Sequence, residues 1–128
     1  MHSKSKIVLA LVAGVALGAA AVQGLHAQAK PPVYAVAEIT VTNLDAYVKE
    51  YAPLAQAGIK SSGGKLLAVG QTVTSIEGAP PANRVAIQQW ESIEKLKAWR
   101  NSAEFKKARE VGDKYAKFRT FVVEGLPQ

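Results

Sequence analysis

Between Val33 and Thr42 the residues alternate in type. Val33, Ala35, Ala37, Ile39 and Val41 share one face, and Tyr34, Val36, Glu38, Thr40 and Thr42 share the other. A period of two predicts a strand, and the uniformly apolar set marks the face that meets a core. The second face is mixed, which suits a surface that a partner covers or that lines a cavity. The period then lengthens. Asn43 is a good helix cap, Asp45 places an acid in the first turn, and Leu44, Tyr47, Val48, Tyr51, Leu54 and Ala55 recur at helical spacing. Pro53 lacks an amide hydrogen and crowds the turn before it, so a kink or restart is expected near Tyr51–Ala52. Gly58 and the pair Gly63-Gly64 are expected to end the helix and permit positive φ. Lys65–Val73 reads as a second strand, with a bulge expected at Gly70.

The run Gly78-Ala79-Pro80-Pro81-Ala82-Asn83 cannot extend a ladder and is read as a loop. Arg84–Glu91 is the third strand. Ser92 then caps a helix with Ile93, Leu96 and Trp99 on one face. Ser102 caps a continuation carrying Phe105, Ala108, Val111 (or Gly112) and Tyr115. Phe118–Glu124 is the last strand, closed by Gly125 and Pro127. The order β-α-β-β-α-β, with the second helix in two pieces, predicts an α+β, ferredoxin-like fold. Its four-stranded antiparallel sheet carries both helices on one face. The other face is bare in a single chain, so a homodimer paired sheet to sheet is expected.

The N-terminal residues do not belong to this pattern. Lys4 and Lys6 precede an uncharged apolar run, Ile7–Val22, and Ala27-Gln28-Ala29 offers small residues at the positions a signal peptidase inspects. This predicts a secretory signal peptide over residues 1–29, cut after Ala29 or, as second choice, Ala27. The domain is then placed at 33–126 and the product in the periplasm or outside the cell. The alternative is a membrane anchor, but the run is shorter than the ~20 residues a span needs, and no stable membrane insertion is expected after cleavage.

Cleavage after Ala29 leaves 99 of the 128 residues, enough for one thin core. The chain has no cysteine to brace it, which strengthens the expectation of self-association. The formal charge of +6 falls to +4 once Lys4 and Lys6 leave. The basic residues are interleaved with acids along helices, so a solvated face is expected and not a nucleic-acid surface. Both histidines, His2 and His26, lie within the signal segment, so the remainder has no His, Cys or Met. That removes the usual ligands of a transition metal or haem and the base of a Ser-His or Cys-His nucleophile. No metal, cofactor or catalytic residue is assigned.

The stretches VYAVAEITVTNLDAYVKEY, GGKLLAVG, EGAPPANRVAIQQWES and WRNSAEF, with Arg109 after them, resemble a bacterial family of dimeric α/β-barrel proteins classed as a domain of unknown function, number 1330. The resemblance runs from about Tyr34 to Gly125 with its motifs in order. It implies the ferredoxin-like fold and a dimer whose sheets enclose a barrel-like space; it implies no reaction. Against the family pattern, Gln89 replaces an acid, Trp90 a Phe, Arg100 an aromatic residue and Phe105 a Tyr, and Gln71 stands where a glycine is common. The wider superfamily includes cofactor-free monooxygenases and small isomerases, and QQWESIEKLKAWRNSAEF is similar to the strand-helix signature of those monooxygenases. They commonly carry a histidine where this chain has Trp99.

The candidate ligand-binding residues are Tyr34, Glu38, Arg84, Gln89, Trp90, Trp99 and Arg109. Arg84 offers a bidentate fork to a carboxylate, Trp90 and Trp99 aromatic walls, and Glu38 an acid on a strand. Tyr34 and Tyr51 offer hydroxyls, and the resemblance brings in Arg109. Each has a plain structural reading as well: Trp99 as core, Arg84 as a solvated strand start, Glu38 as an edge carboxylate, Arg109 in surface pairs with acids. Ser92 and Ser102 read as caps. Arg84, Trp90 and Glu38 are expected to converge on one pocket, with parity as the open point, because Arg84 and Trp90 share one face of their strand and Val85, Ile87 and Gln89 the other. Three function classes remain: a small-molecule binder using the cavity of the dimer, a cofactor-independent oxygenase or isomerase, and an envelope interaction module without a pocket.

Overall fold

Alternation in the first strand, β1 (Val33–Val41), becomes alternation in burial, with Val33, Ala35, Ala37 and Ile39 inside. The computed structural model describes residues 30–127, so the predicted signal peptide lies outside the described residues. Strands β2 (Lys65–Gly70), β3 (Arg84–Trp90) and β4 (Ala116–Glu124) complete an antiparallel sheet in the order β2-β3-β1-β4. This is the ferredoxin-like arrangement expected from the order of elements. Among the described residues no helix is long and apolar enough to cross a membrane.

Helix α1 is built in three pieces: α-helical over Leu44–Ala46, π-helical over Tyr47–Tyr51 and α-helical again over Ala52–Ser61. The Asn43 side chain accepts from the Ala46 N–H and caps it. The restart falls where Pro53 requires it. The Ala52 N–H reaches back five residues to the Tyr47 carbonyl, and the wide turn removes the clash an α-turn would meet. It also puts Tyr47 and Tyr51 together on the sheet side, both buried, with ring centres 5.1 Å apart. Of the rest of the expected apolar stripe, Ala55 packs against the same core, whereas Leu44, Val48 and Leu54 are 41%, 45% and 46% exposed.

Helices α2 (Ile93–Arg100) and α3 (Ala103–Gly112) are capped as expected, the Ser92 hydroxyl accepting from Lys95 N and the Ser102 hydroxyl from Phe105 N. They bury Leu96, Trp99, Phe105 and Ala108 against the same sheet face as α1. Trp90, fully buried at the end of β3, stacks on Trp99 at 5.5 Å, and Trp99 meets Phe105 edge-on at 4.8 Å.

Three local expectations are corrected. The bulge in β2 lies between Leu66 and Ala68, while Gly70 pairs regularly with Val85. The strand stops at Gly70 and not at Val73, because the chain leaves the ladder and Gln71 turns its side chain to Arg84. β4 begins two residues earlier than expected, since Ala116 is buried and pairs with Val41. Gly63 supplies positive φ (95°) as anticipated, whereas Gly64 is required for closeness: a Cβ there would lie 2.6 Å from Cζ2 of Trp90.

Candidate functional site

Parity in β3 decides the site. The largest apolar side chain of the strand, Trp90, turns toward the helices, and period-two geometry carries Gln88, Ala86 and Arg84 with it. Val85, Ile87 and Gln89 fall on the open face. Register then separates the expected trio. Ile39 pairs with Arg84 under the helices, while Glu38 pairs with Val85 on the opposite face. The expectation that Arg84, Trp90 and Glu38 meet in one pocket is therefore corrected: the alternation of β1 places Glu38 on the far side of the sheet. There Glu38 forms an ion pair with Arg119 and accepts from the Ala82 N–H at 3.4 Å. Tyr34 and Gln89 pair with each other on that open face as well.

On the helix side a cavity of about 50 Å³ lies between the sheet and α1. Ala37, Ile39, Ala86 and Phe118 form its sheet wall, with Tyr47, Tyr51, Gln56 and Ile59 from α1, Trp99 from α2, and Arg84 and Gln88 as the polar groups of β3. Of the candidates named from sequence, Arg84 and Trp99 line it directly and Trp90 stands behind Trp99. Arg109 flanks it, its guanidinium 3.7 Å from the centre of the Phe118 ring. Tyr47, Gln56 and Gln88 line the cavity, and Gln71 bonds Arg84; sequence reasoning missed all four. The signal that could have found Gln88 is the size of Trp90: once that ring is assigned to the core, Gln88 and Arg84 must share its side.

The polar groups here are only partly satisfied. The Arg84 Nη1 donates to Gln71 Oε1 at 2.7 Å, and its guanidinium lies 5.1 Å from the Tyr47 ring centre. The Trp90 Nε1 donates to Gln88 Oε1 at 2.9 Å. Yet the Nε atoms of Arg84 and Arg109 and the Nε1 of Trp99 are buried with no acceptor among the described residues. A buried donor without an acceptor carries its full desolvation cost, so a site with several is suited to a ligand that brings oxygens. Burial pushes Tyr47 up to about 12, with Tyr51 adding to the rise and the charges of Arg84 and Arg109 opposing it. Its hydroxyl is therefore neutral at ordinary pH and can donate. Burial and then the neighbouring Arg109 charge pull Arg100 below the usual guanidinium range; Arg100 and Arg109 share the Phe105 ring at 4.4 and 4.8 Å.

Among the described residues no Asp, Glu, His or Cys lines this cavity. The arrangement can bind, orient and polarise an oxygen-bearing molecule, but its lining offers no ordinary general base. Arg84 also lines a second cleft, of about 230 Å³, with Val41, Leu44, Gln71 and Asn83. Asn83 fixes that end of the sheet by accepting from Val41 N at 3.0 Å and donating to Val41 O at 3.2 Å.

No curated protein matches the chain in sequence. Solved structures do share its fold. A protein of unknown function from Rhodopseudomonas palustris, in methylated form, aligns with a TM-score of 0.64 at 14% identity, over 76% of this chain and 82% of that one. SnoaB, a cofactor-independent oxygenase from Streptomyces nogalater, aligns at 0.57 and 12% identity, over 77% and 96%. An ethyl tert-butyl ether D family protein from Bacillus halodurans aligns at 0.57 and 18% identity, over 74% and 99%. These likenesses show that the chain shares the ferredoxin-like α+β fold of these proteins. A family model matches residues 32–126, nearly all of the described chain, and the protein belongs to that family, the domain of unknown function DUF1330.

Proposed function

We propose that this protein is an exported small-molecule-binding protein whose ligand enters the helix-side cavity of each subunit of a homodimer. The observation that carries the reading is the buried Arg84, whose Nε has no acceptor among the described residues and which lines a cavity walled by Trp99, Tyr47 and Phe118. A few polar groups in a mostly apolar recess is the usual form of a small-molecule site. The proposed location differs from the space between two sheets that the family resemblance implies. The homodimer would form through the open sheet face, where Val36 is flanked in register by Ile87 and Phe121. Export rests on the N-terminal segment described above.

Mass spectrometry tests this on protein recovered from the envelope fraction of its host, first under native conditions and then denatured. The wild type should release a small molecule, and Ala86→Leu, which fills the cavity from β3, should release none. Equal recovery from both would remove the cavity from the reading.

A cofactor-independent oxygenase is the second reading. It is favoured by an aromatic-lined cavity (Tyr47, Tyr51, Trp99, Phe118) on the fold shared with the Streptomyces nogalater oxygenase. It requires that oxygen be consumed when the released molecule is returned to the protein in air. Binding without oxygen uptake would leave the first reading alone.

A further inference from the structure

Arg84 is a buried cation with no anion beside it among the described residues. It is 8% exposed, its Nη1 donates to the neutral amide of Gln71, and its Nε has no acceptor among the described residues. The ion pairs among the described residues, Lys95 with Glu91 and Arg119 with Glu38, do not involve it. The face of the Tyr47 ring offers the guanidinium only a partial counter-field. Arg109 adds to the imbalance, its Nε also buried without an acceptor and its guanidinium stacked on Phe118, itself part of the cavity wall. Phe118 and Arg84 flank Ile39 in register, one on each neighbouring strand, so both cations serve the same end of the sheet.

Removing a charge from water is strongly unfavourable unless an opposite charge and hydrogen bonds replace the solvent. A neutral ligand would satisfy the free N–H of Arg84 and leave its charge unanswered; an anion does both. The cavity is small and its sheet wall apolar, with Ala37, Ile39, Ala86 and Phe118 contributing no donor side chains. A phosphate, with more oxygens and a larger charge, would leave acceptors facing hydrocarbon. A carboxylate presents two oxygens to the fork of one arginine and attaches to a hydrocarbon end that the wall accepts. Resting on the reading that this cavity is the ligand site, we infer that it takes a short-chain carboxylate, held at its carboxylate by Arg84, with the Trp99 ring as an aromatic wall of the same cavity.

Nitrogen–proton NMR of the full-length product reads the cavity through the Arg84 Nε–H, as the donor, and the Trp99 indole N–H, as a reporter on the aromatic wall. The probes are propionate, its neutral isostere propionamide, and inorganic phosphate, each titrated at constant ionic strength with chloride as the balancing salt. Propionate should move both resonances and bind about tenfold or more tightly than propionamide. Arg84→Gln should remove that preference; if this variant does not fold, the propionate-to-propionamide ratio of the wild type decides by itself. Equal binding of propionate and propionamide at Trp99 overturns the carboxylate inference and keeps the cavity as a binding site. Preference for phosphate over propionate also overturns it. If none of the probes moves either resonance, the inference falls together with the reading of the cavity on which it rests.

Discussion

Arg84 lies with its guanidinium carbon 5.1 Å from the centre of the Tyr47 ring, a buried cation against a buried phenol. The phenol ordinarily ionises near 10; burial, reinforced by Tyr51, raises it to about 12 although Arg84 and Arg109 oppose the change. The folded chain therefore holds the proton more tightly than the unfolded chain does. This contribution to stability is complete below pH 10 and is lost as the pH rises toward 12, at up to about 1.4 kcal/mol per pH unit. Denaturant titrations across that window should show a shallower loss for Tyr47→Phe than for the wild type. An identical loss would mean that Tyr47 does not hold its proton in this way.

Gly64 meets Trp90 more closely than any side chain could. A Cβ there would come within 2.6 Å of Cζ2, 2.7 Å of Cε2 and 2.9 Å of Cγ2 of Ile59. Trp90 is fully buried and stacked on Trp99, so it has nowhere to move. Gly64→Ala should cost about 1–3 kcal/mol, the range for overpacking a filled core. Gly63→Ala should also destabilise, by a different route, since its φ of 95° strains any side chain while nothing lies near its Cβ position. The midpoint of denaturant unfolding measures both, and a neutral Gly64→Ala would contradict the packing described here.

These two glycines show what the sequence made legible. The pair marked a turn, and the turn is there, but only Gly63 is conformational; the contact that requires Gly64 joins residues far apart in the chain. The caps at Asn43, Ser92 and Ser102, the restart before Pro53 and the order of the strands were local signals and could be read locally. The site was not local. β3 carries Val85 and Ile87 on one face and Arg84, Gln88 and Trp90 on the other, so neither face is marked as inner by polarity alone. Tyr47 was legible as part of the buried helical stripe, but its place beside Arg84 depends on which face of β3 turns inward. Glu38 was placed with Arg84 because both lie on strands, yet the one-residue offset in pairing puts them on opposite faces.

The open face gives the next expectation. Across it Ile87, Val36 and Phe121 stand in one row and Gln89, Tyr34 and Val123 in the next, with Phe121 and Val123 44% and 55% exposed. An apolar face of this kind is costly in water and is expected to bury itself against a second copy. Light scattering at micromolar concentration should report twice the chain mass for the wild type and the single mass for Val36→Lys, with the fold retained. A wild-type monomer would contradict the dimer.

Whether the ligand occupies the helix-side cavity or the space between two sheets is tested most directly by a crystal structure of the protein purified from its own envelope fraction, without added ligands. Two chains joined through the faces that carry Val36 and Phe121 are expected, with electron density between α1 and β3 of each chain, against Arg84. Density lodged between the two sheets, with the cavity beside Arg84 empty, would contradict that expectation.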